Sequence, residues 1–197
     1  ASMICELNDI VPTVPHNVSN ALAAAGLARA INVSHEDIQK ALQAFRPGRH
    51  RIEVIHEADG VTWVDDSKAT NAHAASASLS SFDSVIWIVG GLLKGVDISG
   101  LVSSVSSRIK AAVVIGLDRQ PVLDALTQMA PDVPVIEIGD GEDVMVRAVA
   151  AASGVAGAGD TVLLAPASAS MDQFKDYADR GSQFSNAVLA LNGGRDG

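Results

Sequence analysis

The sequence predicts a doubly wound α/β domain built on a mostly parallel sheet, and three observations carry that expectation. Four short runs are almost continuously apolar: Val85-Ile86-Trp87-Ile88-Val89, Ala112-Val113-Val114-Ile115, Pro134-Val135-Ile136-Glu137-Ile138 and Thr161-Val162-Leu163-Leu164. A strand with one wet face alternates in character, whereas a strand that is apolar throughout is covered on both faces, as in a parallel sheet. Helical stretches near 98–107, 119–129 and 142–153 separate these runs, so strand and helix alternate at the spacing of βαβ units. The chain also lacks any internal repeat or low-complexity linker that would suggest another architecture.

Taken in order, residues 1–15 hold short apolar pieces broken by Pro12 and Pro15, read as the end of a strand. The amino end opens in mid-pattern, without the basic start and apolar core of a signal peptide. His16-Asn17-Val18-Ser19-Asn20 leads into an alanine-rich helix over 21–31. Ser34, followed three residues later by Asp37, has the form of a capping box. The helix it opens carries Ile38, Ala41, Leu42 and Phe45 on one face and stops at Pro47-Gly48. Two short helices cannot enclose a core. Residues 1–49 are therefore expected to be a helical remnant of another domain, and 50–197 the α/β domain itself.

That domain is expected to begin with a β-hairpin, Arg51 to Glu57 and Val61 to Val64, turned by Asp59-Gly60. A polar stretch over 65–71 follows, then an Ala/Ser-rich helix over 72–81. After the four apolar strands, an amphipathic helix from about Ala178 to Leu191 closes the chain, and the 193–197 tail is expected to be loose.

Composition narrows the function. The chain has 197 residues, is 48% hydrophobic but 4% aromatic, and carries a net charge of -9. A duplex-binding surface needs clustered cations to displace counterions. No Lys/Arg run exists, so a nucleic-acid partner is not expected. One cysteine, Cys5, excludes an internal disulfide and fits a reducing cytoplasm. No apolar run approaches the roughly 20 residues of a membrane span, and a cytoplasmic protein with no membrane partner is expected.

In a parallel sheet the carboxyl ends of the strands hold ligands. The Trp63 strand ends in Asp65-Asp66-Ser67-Lys68-Ala69-Thr70-Asn71, the Trp87 strand in Gly90-Gly91-Leu92-Leu93-Lys94-Gly95, and the Leu163 strand in Ala165-Pro166-Ala167-Ser168-Ala169-Ser170-Met171-Asp172-Gln173-Phe174. If the topology brings them to one edge, two lysines and several hydroxyls face one crevice, chemistry suited to carboxylate or phosphate oxygens. Composition alone leaves a ligand site and a set of structural turns evenly balanced. Gly90-Gly91 lacks the full dinucleotide fingerprint, no lysine follows a glycine as in a Walker loop, and no Gly-x-Ser-x-Gly elbow surrounds Ser168 or Ser170. The five histidines are scattered without metal-ligand spacing, and no metal site is expected.

Together these stretches resemble the carboxyl-terminal part of the Mur ligases, and within them the D-glutamate-adding branch. His16-Asn17-x-x-Asn20-Ala21-Leu22-Ala23-Ala24 is similar to the end of the family's central domain. His50-Arg51 with Glu53 is similar to the start of its third, Rossmann-like domain. Asp66-Ser67-Lys68-Ala69-Thr70-Asn71 is the most diagnostic piece, and Pro166-Ala167-x-Ala169-Ser170-Met171-Asp172-Gln173-Phe174 with Arg180-Gly181 the second. Asp65, Leu92-Leu93, Ser168, Met171 and Tyr177 depart from the usual residues, but no charged participant is lost.

The resemblance implies an ATP-dependent ligase of peptidoglycan synthesis, which activates the carboxylate of UDP-N-acetylmuramoyl-L-alanine as an acyl phosphate for attack by D-glutamate. It assigns Asn20, Arg51, Asp66 and Lys68 to ATP, and Thr70, Lys94, Ser170, Met171 and Tyr177 to D-glutamate. Lys94 is expected to pair a carboxylate in a partly buried setting. Magnesium is implied as well, with its ligands and the catalytic groups in a part this chain does not contain, so the chain is expected to be an inactive, monomeric fragment. Two other readings use the same crevice: a non-catalytic nucleotide- or amino-acid-binding module, and half of a nicotinamide-dependent oxidoreductase. The missing fingerprint weighs against the second.

Overall fold

The computed structural model describes residues 3–193. The chain divides into two compact units, Ala1–Gly48 and Arg49–Gly197.

The first unit holds a 3-10 turn, Leu7–Asp9, and two helices, α1 (Pro15–Ala30) and α2 (His35–Ala44). No strand end occurs over 3–14. Glu6 and Asp9 exchange side chain-to-backbone bonds across the 3-10 turn instead. Helix α1 starts six residues before the alanine-rich run. Pro15 opens it, because a missing N–H costs nothing at a first helical position; read as a breaker, it hid the true start. Ser34 caps α2 as expected, its Oγ accepting from the Asp37 N–H at 3.1 Å. Of the apolar face expected on α2, Ile38 is buried, whereas Ala41 and Phe45 are exposed.

The second unit is a six-stranded sheet in the order β1-β2-β6-β3-β4-β5. Strands β1 (Glu53–Ala58) and β2 (Val61–Asp65) form the antiparallel hairpin. Its turn residues Asp59 and Gly60 both take positive φ, 54° and 76°, the twist that a two-residue hairpin needs. All other pairings are parallel: β2 with β6 (Thr161–Leu164), β6 with β3 (Val85–Gly90), β3 with β4 (Ile109–Ile115) and β4 with the edge strand β5 (Val135–Glu137).

Helices α3 (Ala72–Leu79), α4 (Ser99–Val105), α5 (Gln120–Met129), α6 (Val144–Val155) and α7 (Tyr177–Gly193) complete the layers. The path β2-β3-β4-β5 moves in one direction and β5-β6 moves back. Right-handed crossovers then place α3, α4 and α5 on one face and α6 on the other. Helix α7 joins α6, and the two cover Trp63, Ile86, Ile88, Val113, Val162 and Leu164. Residues of alternate parity, such as Trp87 and Val89, are equally buried toward the opposite layer. Both faces are covered, which is why the strands are apolar throughout. Gly193 ends α7 rather than opening a tail; the rest of the expected loose end lies outside the described residues. No described helix is long and apolar enough to cross a membrane.

Candidate functional site

The strand order sets the carboxyl ends of β2, β6 and β3 side by side, so the three polar stretches share one edge. Strand β6 leads to α7 on one face, while its neighbours β2 and β3 lead to α3 and α4 on the other. A crevice opens where neighbouring connections part in this way.

Backbone bonds lace the stretches together. Asp66 N donates to Leu164 O at 2.9 Å, Ala167 N to Ala69 O at 3.0 Å, and Gly90 N to Pro166 O at 3.1 Å. Leu92 and Ala169 exchange two bonds, of 2.8 and 3.2 Å, as an isolated antiparallel bridge. That approach needs Gly91. At its φ of 127° an added Cβ would stand 2.5 Å from Ala169 O and 2.7 Å from Ser168 Oγ.

Arg180 fastens the inside of this edge. It is completely buried, and its guanidinium donates from Nε to Ser67 Oγ (3.0 Å) and from Nη2 to Ser67 O (3.0 Å) and Ser168 O (3.2 Å). Ser67 Oγ in turn donates to Tyr177 O at 2.7 Å. Burial lowers the Arg180 pKa to about 10, and the charges of Asp172 and Asp65 oppose that fall. The group stays cationic at neutral pH. In the sequence Arg180 stands out only as part of a signature, as one arginine on a helix whose neighbours face a core. Asp172 and Gln173 form a second clasp that no local sequence pattern reveals. Leu117 N donates to Asp172 Oδ2 (3.0 Å) and Gly116 N to Gln173 Oε1 (2.7 Å), tying the β6–α7 loop to the end of β4.

The residues assigned to nucleotide divide between the units. Asn20 lies exposed on α1 in the first. In the second, Arg51 is exposed and Asp66 buried. The Asp66 carboxylate accepts from Ser78 Oγ and from the backbone of Ile52. Burial nevertheless pushes its pKa up to about 6, against those bonds and the nearby charge of Arg51. Beneath it, Asp65 meets His50 Nδ1 at 2.7 Å and accepts from Ser67 N at 2.9 Å. Burial raises the Asp65 pKa too, with the His50 bond opposing. A side chain at Gly181 would collide with this pair, which accounts for glycine after Arg180. Glu53 completes a group whose donor atoms lie within 4.8 Å of one another. His50 N donates to Glu53 Oε2 at 2.9 Å and Arg49 Nε to Glu53 Oε1 at 3.3 Å, and Gly181 closes the space beside the His50–Asp65 pair. The group reads as a hydrogen-bonded brace.

Of the amino-acid set, Tyr177 sits against Lys68, whose Nζ lies 3.6 Å from the ring centroid. This cation–π contact joins a residue assigned to phosphate with one assigned to amino acid. Thr70 is half-buried beside Asn71, which caps α3 by accepting from Ala74 N at 2.9 Å. Ser170 is buried and Met171 exposed on the adjoining loop. Lys94, with Gly95, takes a left-handed turn (φ 55° and 76°) and stands exposed, not partly buried as expected. It follows Leu92, whose bridge to Ala169 holds this loop beside Ser170. The edge thus offers cations, hydroxyls and loop amides, the donors that bind anionic oxygens.

Residues 50–168 match the family described as Mur ligase, glutamate ligase domain. Over 194 residues the chain is 52% identical to the UDP-N-acetylmuramoylalanine--D-glutamate ligase of Thermobifida fusca, covering 98% of this chain and 42% of that protein. The enzyme of the same name from Streptomyces coelicolor is 49% identical, with 97% and 41% covered. The chain therefore spans well under half the length of these relatives. Among solved structures, its fold is similar to a pseudomurein peptide ligase type C from Methanothermus fervidus (TM-score 0.62, 18% identity, 89% of this chain and 36% of that one). It is also similar to a UDP-N-acetylmuramate-alanine ligase from Thermotoga maritima (TM-score 0.61, 14% identity, 91% and 39%).

Proposed function

The chain belongs to the Mur ligase family, carrying its glutamate ligase domain, and from that premise we propose that it holds D-glutamate for an ATP-dependent ligase. The acceptor is UDP-N-acetylmuramoyl-L-alanine, and the setting is cytoplasmic peptidoglycan synthesis. The supporting observation is the laced edge itself: the loops bearing Thr70, Lys94 and Ser170–Met171 are bonded to one another and to the Asp66–Lys68 loop.

In the proposed reaction a carboxylate oxygen of the acceptor attacks the terminal phosphorus of ATP, and ADP leaves. The amine of D-glutamate then attacks the acyl phosphate carbonyl, the amide bond forms, and inorganic phosphate departs as the amine loses a proton. Such chemistry depends on positioning and charge neutralisation. Lys94 pairs a carboxylate of D-glutamate, with Thr70, Ser170, the Met171 backbone and Tyr177 around the rest. Asp66 takes the ribose hydroxyls, and Arg51 and Lys68 the phosphates. Lys68, stacked on Tyr177, couples the two halves. Magnesium, when bound, would neutralise phosphate charge. Its ligands would be other side chains than these, because the atoms of the His50–Glu53–Asp65 group are already bonded to one another, to Ser67 N and to Arg49, and no catalytic group is assigned here. A non-catalytic amino-acid sensor uses the same edge, and turnover separates the two.

The test is Lys94→Ala in a protein that includes the upstream region of its relatives. An exposed cation loses much of its pair energy to solvent, so the expected loss is about 1–2 kcal/mol. That is roughly a tenfold rise in KM for D-glutamate with KM for ATP unchanged. Equal small effects on both substrates would remove Lys94 from the site.

A further inference from the structure

Helix α3 leaves the polar stretch over 65–71 and, about two turns on, returns a hydroxyl to it. Of the residues that α3 buries, Ala75, Ser78 and Leu79, only Ser78 is polar, and it is 1% exposed. A buried helical serine ordinarily bonds back to the carbonyl four residues earlier. Ala74 O stands 3.3 Å from Ser78 Oγ for that purpose, but Oγ also donates to Asp66 Oδ2. One hydroxyl has one proton to give, and a bond to an ionised carboxylate is the stronger of the two. A second donor reaches Asp66 from another segment, the backbone of Ile52. Ile52 is buried and holds a φ of 48°, which a β-branched residue adopts only when its surroundings impose it. The fold thus tolerates a strained backbone where it places a donor on this carboxylate.

We propose that Ser78 is a positioning residue for the nucleotide, holding the Asp66 carboxylate toward the ribose hydroxyls and ionised to accept them. The proposal rests on the assignment of Asp66 to ribose made above. A carboxylate has about four acceptor sites. Ser78 and Ile52 occupy two, and the others remain for the ligand. Charge matters equally, because an ionised carboxylate accepts from both ribose hydroxyls, while a protonated one presents a hydrogen of its own. Burial and the charge of Asp65 oppose ionisation, whereas Arg51 and the two hydrogen bonds favour it. His50 and Glu53 act one residue further off, on Asp65. Of these influences, only the Ser78 bond can be removed without altering a charge or the backbone.

Ser78→Ala tests this. Asp66 should then ionise about 0.5–1 pH higher than in the parent, read from its ¹³Cγ shift in the 197-residue chain. Kinetics use a protein that includes the upstream region of its relatives. There KM for ATP should rise about fivefold near pH 6.5 but only about twofold near pH 8.5, where Asp66 is ionised in both proteins. KM for D-glutamate, and kcat at saturating ATP, should stay unchanged. Ser78→Cys keeps the volume but donates weakly, and should fall between the parent and Ser78→Ala. A residue that only fills space would leave Ser78→Cys like the parent and the pH dependence unmoved. The proposal is overturned if Asp66 titrates alike in Ser78→Ala and the parent, or if KM for ATP rises by one factor at both pH values. Asp66→Ala separates the two readings. If it raises KM for ATP while Ser78→Ala does not, the positioning role falls and the ribose assignment stands. If Asp66→Ala leaves KM for ATP unchanged, the ribose assignment falls and takes the proposal with it.

Discussion

Asp66 shows how one residue serves the candidate site at a cost to the fold. Burial raises its folded-state pKa to about 6 from an ordinary 3.8. Between those values the folded chain keeps a proton that the unfolded chain has released. Its contribution is complete below about pH 4 and is lost as pH rises through 6. From pH 5.5 to 8 this group should withdraw about 1 kcal/mol of stability. Asp66→Asn should remove that part of the slope, measured by urea unfolding at the two pH values; Asp65, shifted the same way, keeps some slope in both proteins. Identical slopes would show that Asp66 is not held in an unfavourable ionised state. The polar run around Asp66 was legible as a site because six of its residues carry chemistry in sequence. Its partner His50 was not, since nothing local in His50-Arg51 reveals that the imidazole turns inward to Asp65 while the guanidinium turns out.

Among the elements, legibility followed periodicity. Strands β3, β4 and β6 were readable because both their faces are covered, leaving an apolar run with no alternation. The hairpin was readable because Asp59-Gly60 suits positive φ at both turn positions. The start of α1 was not, because proline suits a helix start and breaks a helix interior with the same ring. The lacing of the loops was beyond reach for another reason: Arg180 bonds to residues 12 and 113 positions away, and no sequence period encodes such pairs. Its weight can be measured. Arg180→Met keeps the length of the side chain but leaves Ser67 O and Ser168 O without their guanidinium donor, which should cost about 2–4 kcal/mol in urea unfolding. Arg180→Lys cannot reproduce the fork that serves both loops and should recover only part. A Met variant within about 0.5 kcal/mol of the parent would show the clasp to be idle.

At the scale of the whole molecule, the two units differ in how each is held together. The second encloses a layer between sheet and helices with Ile86, Ile88, Val113, Val162, Leu164 and Phe184 almost or fully out of solvent. In the first, the buried apolar side chains are Ile10, Val14, Ala21, Ala25 and Ile38, while Leu22, Leu27, Ile31 and Phe45 are more than half exposed. Burying a large apolar side chain is worth about 1.5–3 kcal/mol, so several such side chains left in water deprive α1 and α2 of the force that holds a helix in place. Short helices are marginal without that packing. Opening free energies should therefore separate: amides of β3, β4 and β6 should exchange only on global unfolding, and those of α1 and α2 through local opening, at least about 2 kcal/mol lower. Native-state hydrogen exchange across a urea series reads both sets in one sample. The α1 amides should show little dependence on urea at low concentration, because fraying exposes little surface, and the β3 amides a steep one. If α1 proves as protected as β3, the two units open together, and the assignment of residues 1–49 to a different domain loses its energetic support.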